Sequence, residues 1–177
     1  TDVKQVFVTL NGENDQPQSA NPIDRDFNSS LPIENIDLTT SAADVDGDVL
    51  RVGDDPVVIT GGDASGVSVD QPNNLVTVTP SAYASLDVGE QEVVELSYAI
   101  VDDHGGTVAQ TATLTFNGIN DPPTPGSPIS RTFSQNDSVS TVSLITGATD
   151  PENDTLTIDQ VSFQPVNPIG FQIVNDD

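Results

Sequence analysis

The sequence predicts an all-β chain made of tandem sandwich repeats, and three observations point there. The segment from Phe7 to Val52 aligns without a gap on Thr113 to Ile158, so a 46-residue segment recurs, with many matches in one register, at a spacing of 106 residues. Apolar and polar residues alternate along several runs, which is the pattern of a strand with one buried face. No window of helical length carries a 3.6-residue period.

The repeat is carried by identities in one register. Asn11-Gly12-x-Asn14-Asp15-x-Pro17 returns as Asn117-Gly118-x-Asn120-Asp121-x-Pro123, and Pro22-Ile23-x-Arg25-x-Phe27 as Pro128-Ile129-x-Arg131-x-Phe133. Leu38-x-Thr40-x-Ala42-x-Asp44-x-x-x-Asp48-x-Leu50 returns as Leu144-x-Thr146-x-Ala148-x-Asp150-x-x-x-Asp154-x-Leu156. With a two-residue deletion the match continues, placing Gly66-Val67-x-Val69 on Gly170-Phe171-x-Ile173. The frame puts the last strand of a preceding repeat at 1–12, a complete repeat at 13–118 and the first half of a following repeat at 119–177. A unit of 106 residues suits a small sandwich and exceeds the roughly 20–50 residues of solenoid units.

In chain order, the complete repeat opens with short strands expected at about 22–27, 34–38, 48–53, 56–60, 66–70 and 74–79, each bounded by Gly, Pro, Asn or Asp. Pro80-Ser81-Ala82-Tyr83-Ala84-Ser85-Leu86 follows as one turn of helix, with Pro80 in the first helical position behind Thr79. Glu92 to Val101 then sets Val94, Leu96, Tyr98 and Ile100 on one face, and Thr107 to Asn117 sets Val108, Ala112, Leu114 and Phe116 on one face. About seven strands in about 100 residues is the pattern of an immunoglobulin-like Greek-key β-sandwich. The chain has no Cys or Trp, so it lacks the usual bridge and its packing tryptophan.

Charge narrows the function. The 177 residues hold 28 Asp plus Glu against 4 Lys plus Arg, a net charge of -24, which excludes nucleic acid and anionic membrane as partners. Apolar residues are 34%, below the roughly 45–50% of an average chain. The aliphatic runs are too short to insert in a membrane. Thr1-Asp2-Val3-Lys4 is neither a signal peptide nor a lipidation motif and reads as the interior of a longer chain. The absence of Cys and Met excludes disulfide scaffolds, thiolate metal sites and thiol nucleophiles.

The acids are mostly Asp and stand in short clusters at strand ends: Asp44, Asp46 and Asp48; Asp87 and Glu90; Asp102 and Asp103; and the hinge pairs Asn14-Asp15 and Asn120-Asp121. Loops of a sandwich gather at its two poles, so these oxygens can converge at a domain junction. Calcium takes 6–8 such oxygens, whereas magnesium rarely accepts an all-protein cage. The Asp44 loop is not an EF-hand: counted from Asp44, position 6 is Val49 and position 12 is Asp55.

Leu86-Asp87-x-x-Glu90, Tyr98-x-Ile100-Val101-Asp102-x-x-Gly105-Gly106 and the strand running into Asn120-Asp121-x-Pro123 resemble the second half of a cadherin repeat, and Ala43-Asp44-x-Asp46-Gly47-Asp48 resembles the acidic loop of its first half. With Asp150-Pro151-Glu152-Asn153-Asp154, the wording is most similar to bacterial cadherin-like and VCBS-type tandem repeats of large secreted RTX-type surface adhesins. The resemblance implies a calcium-stiffened extender at the bacterial cell surface, projecting a distal binding domain. It implies one junction built from Asn14, Asp15, Asp44, Asp46, Asp48 and Asp102, and a second from Asp87, Glu90, Asn120, Asp121, Asp150, Glu152 and Asp154. Val88-Gly89 departs from the animal pattern and the hinge is poorer in acids, so one to three Ca2+ ions are expected per junction.

The expected partners are neighbouring repeats of the same chain. Two alternatives stay open: a calcium-dependent carbohydrate module binding polysaccharide, and homophilic cell-cell adhesion. Head-to-tail self-association by strand addition is a further expectation. No enzyme is expected, because His104 lies in a His-Gly-Gly turn without a nucleophile motif. The Asn28, Asn136 and Asn153 sequons read as accidental, and the Phe and Tyr residues as core.

Overall fold

The computed structural model describes residues 3–19, 21–162, 170 and 172. It divides in sequence into two compact units, the first ending at Ile119 and the second beginning at Asn120.

The first unit is a β-sandwich. Its strands are β1 (Gln18–Ser19), β2 (Ile23–Phe27), β3 (Glu34–Asp37), β4 (Ala42–Ala43), β5 (Arg51–Val52), β6 (Val58–Gly61), β7 (Val67–Asp70), β8 (Leu75–Val78), β9 (Gln91–Val101) and β10 (Thr107–Asn117). One sheet runs β2-β10-β9-β5, with β6 also on β9; the other runs β3-β8-β7; β1 pairs β4 alone. All pairs are antiparallel except β2 with β10, which is parallel.

The two longest alternating runs form the longest ladder, with eleven pairs from Thr107↔Val101 to Asn117↔Gln91. Period two sends Val94, Leu96, Tyr98 and Ile100 of β9 and Ala112, Leu114 and Phe116 of β10 to one face. There they meet Ile36, Val76 and Val78 of the second sheet, and Leu38 closes the layer. Phe116 is fully buried and stacks on both Tyr83, with centroids 3.7 Å apart, and Phe27, at 5.4 Å.

Gln110 interrupts this apolar face and is nonetheless buried. Its Nε2 donates to Ser19 Oγ and to the Ser41 carbonyl, both at 3.0 Å, and its Oε1 accepts from the Thr111 amide at 3.1 Å. A buried amide with these partners costs little, and it ties β10 to both β1 and the entry of β4.

Several elements differ from expectation. The helical turn is a 3-10 helix over Pro80–Tyr83. The strand expected at 48–53 is only Arg51–Val52, because Asp48 is drawn into a loop of hydrogen bonds and Val49 stays exposed. Residues 3–12, expected as a strand, form none: Val6, Val8 and Leu10 are exposed, and no described strand pairs with them. The short strands β1 and β4 were not expected, being too brief for periodicity to reveal.

The second unit repeats the start of the first. Thr124 and Thr149 exchange backbone bonds as an antiparallel bridge, 106 residues beyond the Gln18↔Ala43 pair. Ile129 to Phe133, the counterpart of β2, is not a strand, since among the described residues this unit has no equivalent of β10 to pair with it. The match of Gly66-Val67-x-Val69 to Gly170-Phe171-x-Ile173 falls largely outside the described residues. Among the described residues no helix is long and apolar enough to cross a membrane.

The core makes one quantitative prediction. Phe116→Ala empties the space between Tyr83 and Phe27 and should cost about 3–5 kcal/mol of stability. Urea unfolding should show it as a lower midpoint.

Candidate metal centres

Each acidic loop is shaped by its own first residue. Asp44 Oδ1 accepts the Asp46 amide at 2.9 Å and the Asp48 amide at 3.4 Å. Asp150 Oδ1 accepts the Glu152 amide at 3.1 Å and the Asp154 amide at 3.2 Å. This is the local side-chain-to-backbone bonding that Asp favours over regular structure. Gly47 and Asn153, again 106 residues apart, take the left-handed conformation with φ of 81° and 65°. Gly and Asn are the residues that accept this backbone most readily, so the loop turns at the same point in both copies.

The hinge then closes on the loop. The Asp15 amide donates to Asp46 Oδ2 at 2.8 Å, and the Asp121 amide to Glu152 Oε1 at 2.7 Å. Three hydrogen bonds therefore recur between corresponding residues of the two units. Each cradle also holds a buried carboxylate oxygen with no hydrogen-bond partner, Asp44 Oδ2 in one and Glu152 Oε2 in the other. An unsatisfied buried acceptor costs about 1–3 kcal/mol or more when charged, and only a donor or a cation relieves it.

In the first unit the pole is completed by the β9–β10 turn. Asp102 is buried, and its Oδ1 accepts from the His104 amide at 2.8 Å and the Gly106 amide at 2.7 Å, while Oδ2 accepts from Asn14 Nδ2 at 3.1 Å. Burial alone would raise this carboxyl; the bonds from Asn14 and from the turn amides outweigh it and hold it below the usual carboxylate range. A Cβ on Gly106 would run into the Asp102 carboxylate, so only glycine lets the turn close on it. Asn14, Asp15, Asp44, Asp46, Asp48 and Asp102 thus gather at one pole, and the oxygens of Asp44, Asp46 and Asp48 lie within 4.8 Å of one another.

Asp121, Asp150, Glu152 and Asp154 gather in the second unit, and Asn120 Nδ2 donates to the Asp121 carbonyl at 3.3 Å. Asp87 and Glu90 stand together at the opposite pole of the first unit, both exposed. Glu90 Oε2 accepts the Asp87 amide at 3.1 Å, and the Glu90 carbonyl accepts the Gly118 amide at 2.9 Å. A Cβ on Gly118 would strike the Asp87 carbonyl, which fixes the path of the chain leaving β10.

His104 belongs to the first pole and was read from sequence only as a surface residue. Its Nδ1 lies 3.0 Å from Asp48 Oδ2 and 3.1 Å from Asp103 Oδ1. The signal that could have placed it is its position two residues after Asp102, in a turn whose glycines fold it back. The hydrogen bond to Asp48 and the charges of Asp48 and Asp103 raise its pKa above the ordinary histidine value.

Comparison with known proteins follows this geometry. A family model described as a cadherin-like domain matches residues 13–117. No curated protein matches. Among solved structures, a nucleoside hydrolase-related hypothetical protein from Saccharophagus degradans, associated with carbohydrate metabolism, is 17% identical, with a TM-score of 0.39 over 60% of this chain and 26% of its own. An endo-fucoidan hydrolase from glycoside hydrolase family 107 is 22% identical, with a TM-score of 0.34 over 62% of this chain and 14% of its own. The chain thus spans about a quarter or less of either, and likenesses this low support no inference about activity.

The raised histidine gives a pH prediction. A folded pKa above the unfolded one means that the charged imidazole adds stability in full below about pH 6.5 and loses it as pH rises through the folded value. His104 is the one histidine in the chain. NMR titration of its imidazole in metal-free protein should give a midpoint above 6.5, and Asp48→Asn should lower it.

Proposed function

Because this chain belongs to the cadherin-like domain family, we propose that it is a pair of calcium-stiffened spacer units of a secreted bacterial surface adhesin, holding a distal binding domain away from the cell. The observation that carries the reading is the repeated cradle: the same three hydrogen bonds shape both acidic loops, and each holds a buried carboxylate oxygen without a partner. The donor set is entirely oxygen, which suits a hard cation, and carboxylates with amide and backbone oxygens are what calcium selects.

Without the ion, like charges about 4 Å apart repel by about 4 kcal/mol per pair at the effective dielectric of a protein surface. The chain partly counters this by turning one oxygen each of Asp44, Asp46, Asp150 and Glu152 onto a backbone amide. Calcium supplies positive charge that the remaining oxygens share. Asn14, Asp15, Asp44, Asp46, Asp48 and Asp102 would hold it at the first pole. Asn120, Asp121, Asp150, Glu152 and Asp154 would hold it in the second unit. Ligands drawn from a hinge and the domain after it would convert a free joint into a fixed one.

Calorimetric titration with calcium should show saturable binding by residues 1–177. Asp150→Asn keeps an oxygen for the loop amides while removing its charge, and should weaken one class of site at least tenfold. Scattering should change from a broad to a narrow distribution of dimensions on calcium addition and revert with EDTA. Calcium at 100 times its Kd should add about 2.7 kcal/mol to stability. No binding at millimolar calcium would overturn the reading.

A further inference from the structure

The pole of the first unit also carries a cluster of a different chemical kind. Asp48 Oδ2, Asp103 Oδ1 and His104 Nδ1 lie within 4.8 Å of one another, and the nitrogen sits 3.0 and 3.1 Å from the two carboxylate oxygens. We infer that these three side chains form a second cation site, selective for a divalent transition metal such as zinc rather than for calcium.

The argument begins with the nitrogen. An imidazole Nδ1 offers one lone pair or one proton, and here it faces two anionic oxygens at once. When that proton is lost, three electron-rich atoms face one another at close range. A single positive centre between them satisfies all three, and a metal ion carries more charge there than a proton does. Two ligands on tetrahedral bonds of about 2.0–2.1 Å stand about 3.3–3.4 Å apart, so the observed 3.0 and 3.1 Å need widen by only a few tenths of an ångström to take such an ion.

The three side chains are also held in place. Asp102, buried beneath the turn, accepts the amides of His104 and Gly106, so the Asp103-His104 pair is presented by a fixed backbone. Asp48 is anchored through the loop bond of its amide to Asp44, and its side chain is only 16% exposed. The backbone that presents the three side chains is thus already ordered, and binding has only the side chains of Asp103 and His104 left to fix.

Chemistry sets the identity of the ion. Calcium and magnesium take oxygen, and an imidazole nitrogen offers them little; zinc, nickel, cobalt and copper favour it. Three protein ligands leave the other positions to solvent, as in open zinc sites. Asp48 stands in both clusters, one oxygen toward His104 and its loop among the all-oxygen set, so the two sites adjoin. Zinc binding at this triad does not depend on the calcium reading.

The test is titration of residues 1–177 with zinc chloride, followed by calorimetry and by NMR of the one imidazole. One saturable site that moves the His104 ring signals is expected, with His104→Gln weakening it at least tenfold and Asp103→Asn weakening it severalfold. Both positions are exposed, and circular dichroism should show both variants folded. Zinc that binds His104→Gln as tightly as the parent would overturn the proposal, since the carboxylates alone would then account for it. So would a titration that leaves the imidazole signals unmoved.

Discussion

The eleven-pair ladder between β9 and β10 is the interaction on which the rest of the first unit depends. Every other strand of the larger sheet is hydrogen-bonded to one of these two, and most of the core side chains of that sheet are theirs. The ladder also delivers both poles. At one end its turn holds Asp102 beneath Asn14 and beside the Asp44 loop; at the other its strands run out to Glu90 and Gly118. A pair of strands of this length is therefore both the spine of the core and the ruler that separates the two acidic ends. Buried Gln110 adds a cross-brace from the spine to β1 and β4, which flank the first cradle.

The cradles follow a different logic, because they are locally encoded. An Asp followed by amides two and four residues on, with Gly or Asn at the point that turns left-handed, makes the loop from a few residues of sequence. The second unit shows this independence, since its loop forms as the first does although, among the described residues, its β2 counterpart has no ladder to join. The acidic loop and the core can thus be changed separately by sequence.

Much of this was legible beforehand, and the reasons for the rest are physical. Alternation placed β9 and β10 to within a residue because long one-sided burial leaves a period in the sequence. The 106-residue repeat pointed to the loop acids because identical spacing demands identical local bonding. The pairing of β2 with β10 in parallel could not be read, since neither strand carries its partner's register. Gln110 broke the alternation that would have marked it as core, and its partners come from distant short strands. Residues 3–12 show the opposite error: the alternating pattern is there, but a strand also needs a partner, and among the described residues they pair with none. His104 was passed over because a histidine in a glycine turn has no pattern of its own; its company is fixed by Asp48, 56 residues earlier.

The parallel pairing of β2 with β10 has a mechanical consequence. The chain enters the first unit at the pole of Asn14, runs along β2 away from it, and finally leaves along β10 in the same direction. A pull on the two ends draws β2 back and β10 forward, so the force lies along the strands and loads all five residue pairs together, from Ala112↔Ile23 to Phe116↔Phe27. Bonds stressed side by side must fail in concert, whereas those of a hairpin opened from its turn fail one after another. Asp24, Arg25 and Asp26 are exposed along this seam, while Ile23 and Phe27 pin its ends into the core. Tension between entry and exit is thereby borne by β2 and β10 in shear.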